Sequence, residues 1–465
     1  MTLLYGMMVV VALVATVLPL VALAVRRISW RADVFFLVFY VQVVAYIFGA
    51  PTAYAIGALR EQPELAQLYL LMQLMVLFLF CIPMLTVYLL LRRPEVMERP
   101  VVTAKPPAWR FYLFLIFCVG YTVADVVVLT KTGLLFRRIG TETLAAALGA
   151  LPSYVFLLVR IYDRMQLPML ALMMVVALQT TNRMRRRMAY GALAICLALV
   201  LGVAALNSRS LIVLTLGELV CFFITFKKDV HISPRLVGRM VVIGLLALYL
   251  INVAMTVREA GFAAENVLVY FKPSLKISLA AENDSSIAER LNGVDLIAQI
   301  TPAAWKDNYA KGKAWVPGVV ASLGPLVSPE LARRYKEELA TNAKVYLLRW
   351  YAHRDEADYF SCAITDVYGN LGPPGVLFAG VFYGFVFAYA VRWVAQPKRG
   401  WHLVLAIFAI QIYIFFEADF IAGFVGWLSF LPSIVPLLVL SPLTIVRRPR
   451  ASVGRVIGTQ RLRAA

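Results

Sequence analysis

The chain has 465 residues, of which 62% are hydrophobic and only 15% charged, with a formal net charge of +19. A soluble globular domain has roughly 45–50% apolar and about 25% charged residues, so this balance excludes a water-soluble enzyme or binding module. The apolar runs are solid rather than alternating, which excludes a β-barrel and predicts an all-α polytopic membrane protein.

About eleven runs are long enough to cross a bilayer as helices. They are 3–25, 34–56, 68–91, 111–130, 165–182, 188–206, 211–226, 240–257, 374–393, 401–416 and 424–443. The first has no basic residue before it and no small-residue cleavage site after it, so it is expected to be a membrane helix and not a cleavable signal. The fifth carries Pro168 and follows an amphipathic stretch from Thr141 to Arg164. Four divisions follow: helices over 1–257, an outer loop domain over 258–372, helices over 373–446, and a basic tail over 447–465.

Basic clusters follow every second run, from Arg26 and Arg27, through Arg183 to Arg187, to Arg447, Arg448 and Arg450. Short loops rich in Lys and Arg stay in the cytoplasm, so these clusters agree only if the N-terminus is outside and the C-terminus inside. The net charge is then chiefly a topology signal, and no soluble basic domain exists to bind nucleic acid. Of the five cysteines, Cys81, Cys118, Cys196 and Cys221 lie in apolar runs and Cys362 stands alone outside. No disulfide framework, metal site or cofactor is implied.

The segment from Arg258 to Gly372 is less apolar and carries Trp305, Trp315, Trp350 and Tyr351. A loop of roughly 115 residues is functional or disordered, and its aromatic and apolar helical stretches argue for order. Aromatic faces beside polar groups suit sugar rings as well as the membrane interface. Candidate sugar contacts are Trp315, Trp350 and Tyr368.

Basic residues on the outer side are not explained by orientation. Arg209 lies in a short turn between two runs, Arg258 at the end of the eighth, and Arg290 early in the loop. Arginine offers a permanently charged planar fork that pairs bidentately with phosphate. Snorkelling toward lipid phosphate is the alternative use. Outer carboxylates include Asp295, Asp366, Glu417 and Asp419, while Glu218 lies deeper, as a buried ion pair or a functional group. His353 is the outer histidine.

The loop closes on Thr365-Asp366-Val367-Tyr368-Gly369-Asn370-Leu371-Gly372-Pro373-Pro374-Gly375 and runs into an apolar helix with Gly380 and Gly384. Together with the Arg-bearing turn at Arg209, this resembles the bacterial oligosaccharide repeat-unit polymerases, the O-antigen polymerase (Wzy-like) family. Asp33-Val34-Phe35-Phe36, with Phe48-Gly49-Ala50-Pro51 at the far end of its helix, looks similar to the enterobacterial common antigen branch.

The resemblance implies a metal-independent inverting glycosyltransferase at the periplasmic face of the bacterial inner membrane. It would move a glycan from undecaprenyl diphosphate onto another lipid-linked repeat unit, with a chain-length regulator as a further partner. Arg209, Arg258 and Arg290 match the family's diphosphate-binding arginines. Preorganised cations would stabilise the negative charge that grows on the leaving diphosphate. A carboxylate would deprotonate the attacking hydroxyl, and Asp366, Asp295, Asp419 and Glu417 all qualify. The related O-antigen ligases carry a histidine at a set distance before the closing glycine, where this chain has Ser361. A polysaccharide or lipid transporter is the reading from a different class, and a membrane cysteine protease using Cys362 and His353 is a third.

Overall fold

A computed structural model of the chain describes residues 2–25, 28–29, 33–59, 62–92, 101–103, 108–131, 153–207, 209–227, 292–307, 309–316, 319–320, 346–353, 362–395, 397, 400–414, 420 and 434–446. Among these, six helices are long and apolar enough to cross a membrane, with shorter apolar helices at Met165–Gln179, Thr215–Phe226 and Gly400–Tyr413. The protein is a helical membrane protein. Among the described residues an antiparallel pair of three-residue strands, β1 (Val101–Thr103) and β2 (Thr444–Val446), accompanies the helices.

Helix α1 (Thr2–Ala24) exposes Leu3, Val10, Leu13 and Leu20, as lipid solvation allows. Helix α2 (Val34–Val43) passes through a π-helical turn (Val44–Gly49) into α3 (Ala50–Ala58). Helix α4 (Pro63–Val76) passes through a second π turn (Leu77–Cys81) into α5 (Ile82–Leu91). A π turn strands backbone carbonyls that the α pattern would satisfy. Gln73, fully buried, donates to Ile47 O at 3.1 Å, Phe48 O at 3.4 Å and Thr52 Oγ1 at 3.0 Å, which fills that need in the first π turn.

At one end of this helix pair, the buried Asp33 carboxylate accepts from the Ser29 N–H at 2.6 Å and pairs with Arg92 Nη2 at 2.6 Å. It also accepts from the Tyr88 hydroxyl, and the Tyr88 ring stacks on Phe36 at 3.8 Å. The sequence marked Asp33 only as part of a motif; its place is a clamp between two helix ends.

Helices α6 (Ala108–Lys131), α7 (Ser153–Gln179), α8 (Arg183–Asn207) and α9 (Arg209–Phe226) follow. The structure carries α7 back to Ser153, so the second half of the expected amphipathic stretch and the fifth run form one helix through Pro168. The expected run 240–257 lies outside the described residues.

Helix α10 (Asp295–Asp307) belongs to the long segment between 258 and 372. Asn292 caps it, its Oδ1 accepting from the N–H groups of Val294 and Asp295 at 3.2 Å each. The Gly293 N–H reaches Tyr46 O of the first π turn at 2.9 Å. Helix α11 (Ala363–Ala395) breaks its helical geometry at Gly372 and packs along the second π turn and α5. A Cβ on Gly380 would lie 2.7 Å from Phe80 O, and one on Gly384 would lie 2.5 Å from Met84 O. Both glycines therefore let two backbones meet, as small residues do in membrane helix pairs. Helix α12 (Gly400–Tyr413) packs on α11 and α7. The expected start of the ninth span at 374 falls just past that break, where the second helical part of α11 begins, while a first part begins at Ala363.

Candidate functional site

The site is built where the outer segment meets α11. Pro373 and Pro374 have no N–H, so the carbonyls of Gly369 and Asn370, four residues before them, lose their helical donors. The chain at 309–312 supplies replacements. Ala310 N–H donates to Gly369 O at 3.0 Å and Lys311 N–H to Asn370 O at 2.8 Å. That segment is shaped for the task by positive φ at Tyr309 (58°), Lys311 (52°) and Gly312 (86°). The Tyr309 ring lies 2.6 Å from where a Cβ on Gly372 would be, and Gly372 itself has φ 70°. The Gly-Pro-Pro of the closing motif is thus a socket for the turn.

The turn delivers Trp315. Its indole N–H donates to Asp366 Oδ1 at 2.8 Å. Asn370 Nδ2 donates to the same oxygen at 3.1 Å and to the Asp366 backbone carbonyl at 2.9 Å. Asp366 is 1% exposed. Asn370 Oδ1 is buried and has no hydrogen-bond partner among the described residues. Two residues past Asp366 on α11, the Tyr368 hydroxyl is hydrogen-bonded to Thr301 Oγ1 at 3.1 Å and to the Trp305 indole. The Tyr309 ring meets Tyr368 edge-on at 5.6 Å.

Asp295 sits at the other end of α10 and is half-buried. Its carboxylate accepts from the Tyr69 hydroxyl and from Gln299 Nε2 at 2.8 Å, while Asn292 Nδ2 donates to the Tyr69 oxygen at 3.0 Å. Trp350 is 53% exposed, stands parallel to Tyr346 with centroids 5.9 Å apart, and has Lys313 Nζ 5.8 Å from its ring.

The structure therefore joins Asp366 to Trp315, with Trp350 linked to the same turn through Lys313; Tyr368, a candidate sugar contact, is instead fully buried against Thr301 and Tyr309. Asp295 belongs to a separate carboxylate cluster on the same helix α10. Arg209 is the first residue of α9, and α8 ends at Asn207. Arg258, Arg290, Glu417 and Asp419 lie outside the described residues. Sequence reasoning did not single out Tyr309, Thr301 or Lys313, whose roles come from long-range contacts. The signal that existed was the paired proline, which leaves two carbonyls to be satisfied from elsewhere.

Other features of the described residues are less suited to chemistry. Cys362 is fully buried against Thr365 Oγ1 at 3.2 Å, while His353 is exposed, which does not favour a cysteine protease. An apolar groove between α1 and α5, lined by Val10, Leu13, Val17, Leu85 and Leu89, offers no polar group. Glu218 is 3% exposed and both its carboxylate oxygens, like Thr215 Oγ1 one turn earlier, have no partner among the described residues. Compared with family models, with curated proteins and with solved structures, the chain shows no match.

Proposed function

We propose that the chain polymerises undecaprenyl-diphosphate-linked oligosaccharide repeat units at the periplasmic face of a bacterial inner membrane. On this reading about eleven helices cross the bilayer, the N-terminus is periplasmic, the C-terminus is cytoplasmic, and 258–372 lies outside. The observation that carries it is the buried Asp366 holding the half-buried indole of Trp315 at the end of a membrane helix, with exposed Trp305 on α10 and exposed Trp350 beside Lys313. Exposed indole rings give a sugar large rigid surfaces with polar edges.

Roles follow from exposure and from what each carboxylate holds. Asp366 is covered and committed to Trp315, so it is a positioning residue. Asp295 is partly open, and it is the better general base for the acceptor hydroxyl. Arg209, Arg258 and Arg290 hold the donor diphosphate. Removing one such cation typically costs on the order of 100-fold in rate. The enzyme needs no cofactor: the diphosphate leaves as the sugar hydroxyl attacks with inversion.

Deleting the gene in its host tests this. Loss of polymerised surface glycan, with single repeat units left, is expected. Long lipid-linked chains with nothing transferred to lipid A core would instead mark a ligase. Repeat units trapped on the cytoplasmic side would mark a transporter, the reading favoured by Glu218, which has no partner among the described residues, since intramembrane carboxyls line pathways.

A further inference from the structure

The exposed face formed by α10, the Lys313–Trp315 turn and the Leu348–Ala352 turn is aromatic and cationic at once. We infer that it binds an acidic sugar, so that the repeat unit handled by this chain carries carboxylate groups. The inference rests on the polymerase reading and adds to it the chemical class of the glycan.

Trp350 and Trp305 are 53% and 55% exposed, a large apolar area to leave in water without a ligand. Lys313 holds its ammonium 5.8 Å from the centre of the Trp350 ring. Lys306 follows Trp305 directly, and Lys311 is two residues from Lys313; all three lysines are exposed. None of the three has a carboxylate partner among the described residues, where the ion pair found is Asp33 with Arg92. Two described carboxylates of this region are engaged elsewhere: Asp366 by Trp315 and Asn370, Asp295 by Tyr69 and Gln299.

A neutral sugar presents hydroxyls, which ask for acceptors as well as donors. An ammonium is a donor only and is strongly hydrated, so three of them with no carboxylate partner among the described residues match a formal negative charge better than a hydroxyl. A lipid diphosphate is also an anion. Its charge, however, would not engage the indole surfaces that accompany the lysines. A pyranose packed on the exposed Trp350 ring brings a ring carboxylate within reach of the Lys313 ammonium, and the two features are used together.

The full chain in lipid nanodiscs should be titrated calorimetrically with oligogalacturonate, with a neutral maltooligosaccharide and with inorganic pyrophosphate. Oligogalacturonate should bind at least about tenfold more tightly than the neutral sugar. Lys313→Gln should weaken oligogalacturonate about fivefold, the worth of one exposed ion pair, and leave the neutral sugar unchanged. Trp350→Ala should weaken both sugars. Equal binding of the two sugars, or binding of neither, would overturn the inference. So would pyrophosphate binding that Lys313→Gln abolishes while the sugars do not bind, because the face would then serve the diphosphate. The deletion phenotype reports separately: lost glycan polymer with equal sugar binding removes the acidic class alone, and unchanged polymer removes the polymerase reading.

Discussion

The Lys311 N–H donates to the carbonyl oxygen of Asn370 at 2.8 Å, and that oxygen is available because Pro374 has no N–H to offer it. A helix defect thus becomes a docking point. The same holds for Ala310 and Gly369, with Pro373 as the missing donor.

Pro374→Ala should return a donor to the helix and set it in competition with Lys311. Hydrogen exchange over 309–316 should accelerate about fivefold, the worth of one net hydrogen bond, while the thermal midpoint of the bundle holds. Gly372→Ala should loosen the same turn by two routes. A φ of 70° costs a side chain about 1–2 kcal/mol. Its Cβ would also fall 2.6 Å from the Tyr309 ring. Adding Tyr309→Ala should recover the steric part only. Unchanged exchange in both single variants would mean that the socket does not hold the turn.

How much of this was legible depends on the range of the forces involved. Apolar runs reveal a membrane helix because lipid accepts any side chain without polar atoms, and α1 needs nothing else. The closing motif was legible as Asp, Tyr, Asn, Gly and two prolines. Its meaning was not, because the partners Ala310 and Lys311 lie about sixty residues away and no local pattern points to them. The start of α11 at Ala363 was missed because Asp366 and Asn370 read as loop residues; in place they bond each other, Trp315 and the helix backbone. The π turns were invisible, since their widened hydrogen-bond pattern leaves no mark on the apolar spacing. Gln73 is the residue that betrays the first one, a polar side chain in an apolar run whose amide fills the opened turn.

Close packing of α11 on α5 gives a prediction with an internal control. Gly384→Ala would place a methyl 2.5 Å from Met84 O and 3.0 Å from Val87 Cβ. Backbone cannot retreat as a flexible side chain would, so overpacking should cost about 1–3 kcal/mol. Gly120→Ala on α6 meets nothing within 4 Å and should be neutral or slightly stabilising. Thermal melts in one detergent compare the two. Equal melts would show that the α11–α5 contact is looser than drawn.

Topology is open to a direct reading. A reporter active only in the periplasm should be active when fused after Arg334 and silent after Arg450. The reverse pattern would put the Trp315 and Asp366 site in the cytoplasm, where no lipid-linked glycan is polymerised on this reading, and the proposed function would fall with it.

The two carboxylate clusters on α10 and α11 separate by kinetics. Asp366 reaches substrate only through Trp315, which it holds by a charge-assisted hydrogen bond. Asp366→Ala should therefore release the indole and raise KM for the acceptor glycan about tenfold, with kcat reduced less. Trp315→Phe, which keeps a ring but loses the N–H, should reproduce much of that rise. In the double variant the two effects should not add, because both break one contact. Asp295→Asn keeps the shape of the side chain and an oxygen for Tyr69, but it removes the base. Its kcat should fall about 100-fold or more with KM nearly unchanged. If Asp295→Asn left kcat intact and Asp366→Asn abolished it, the roles would be exchanged, and Trp315 would be a cover over the base and not a sugar contact.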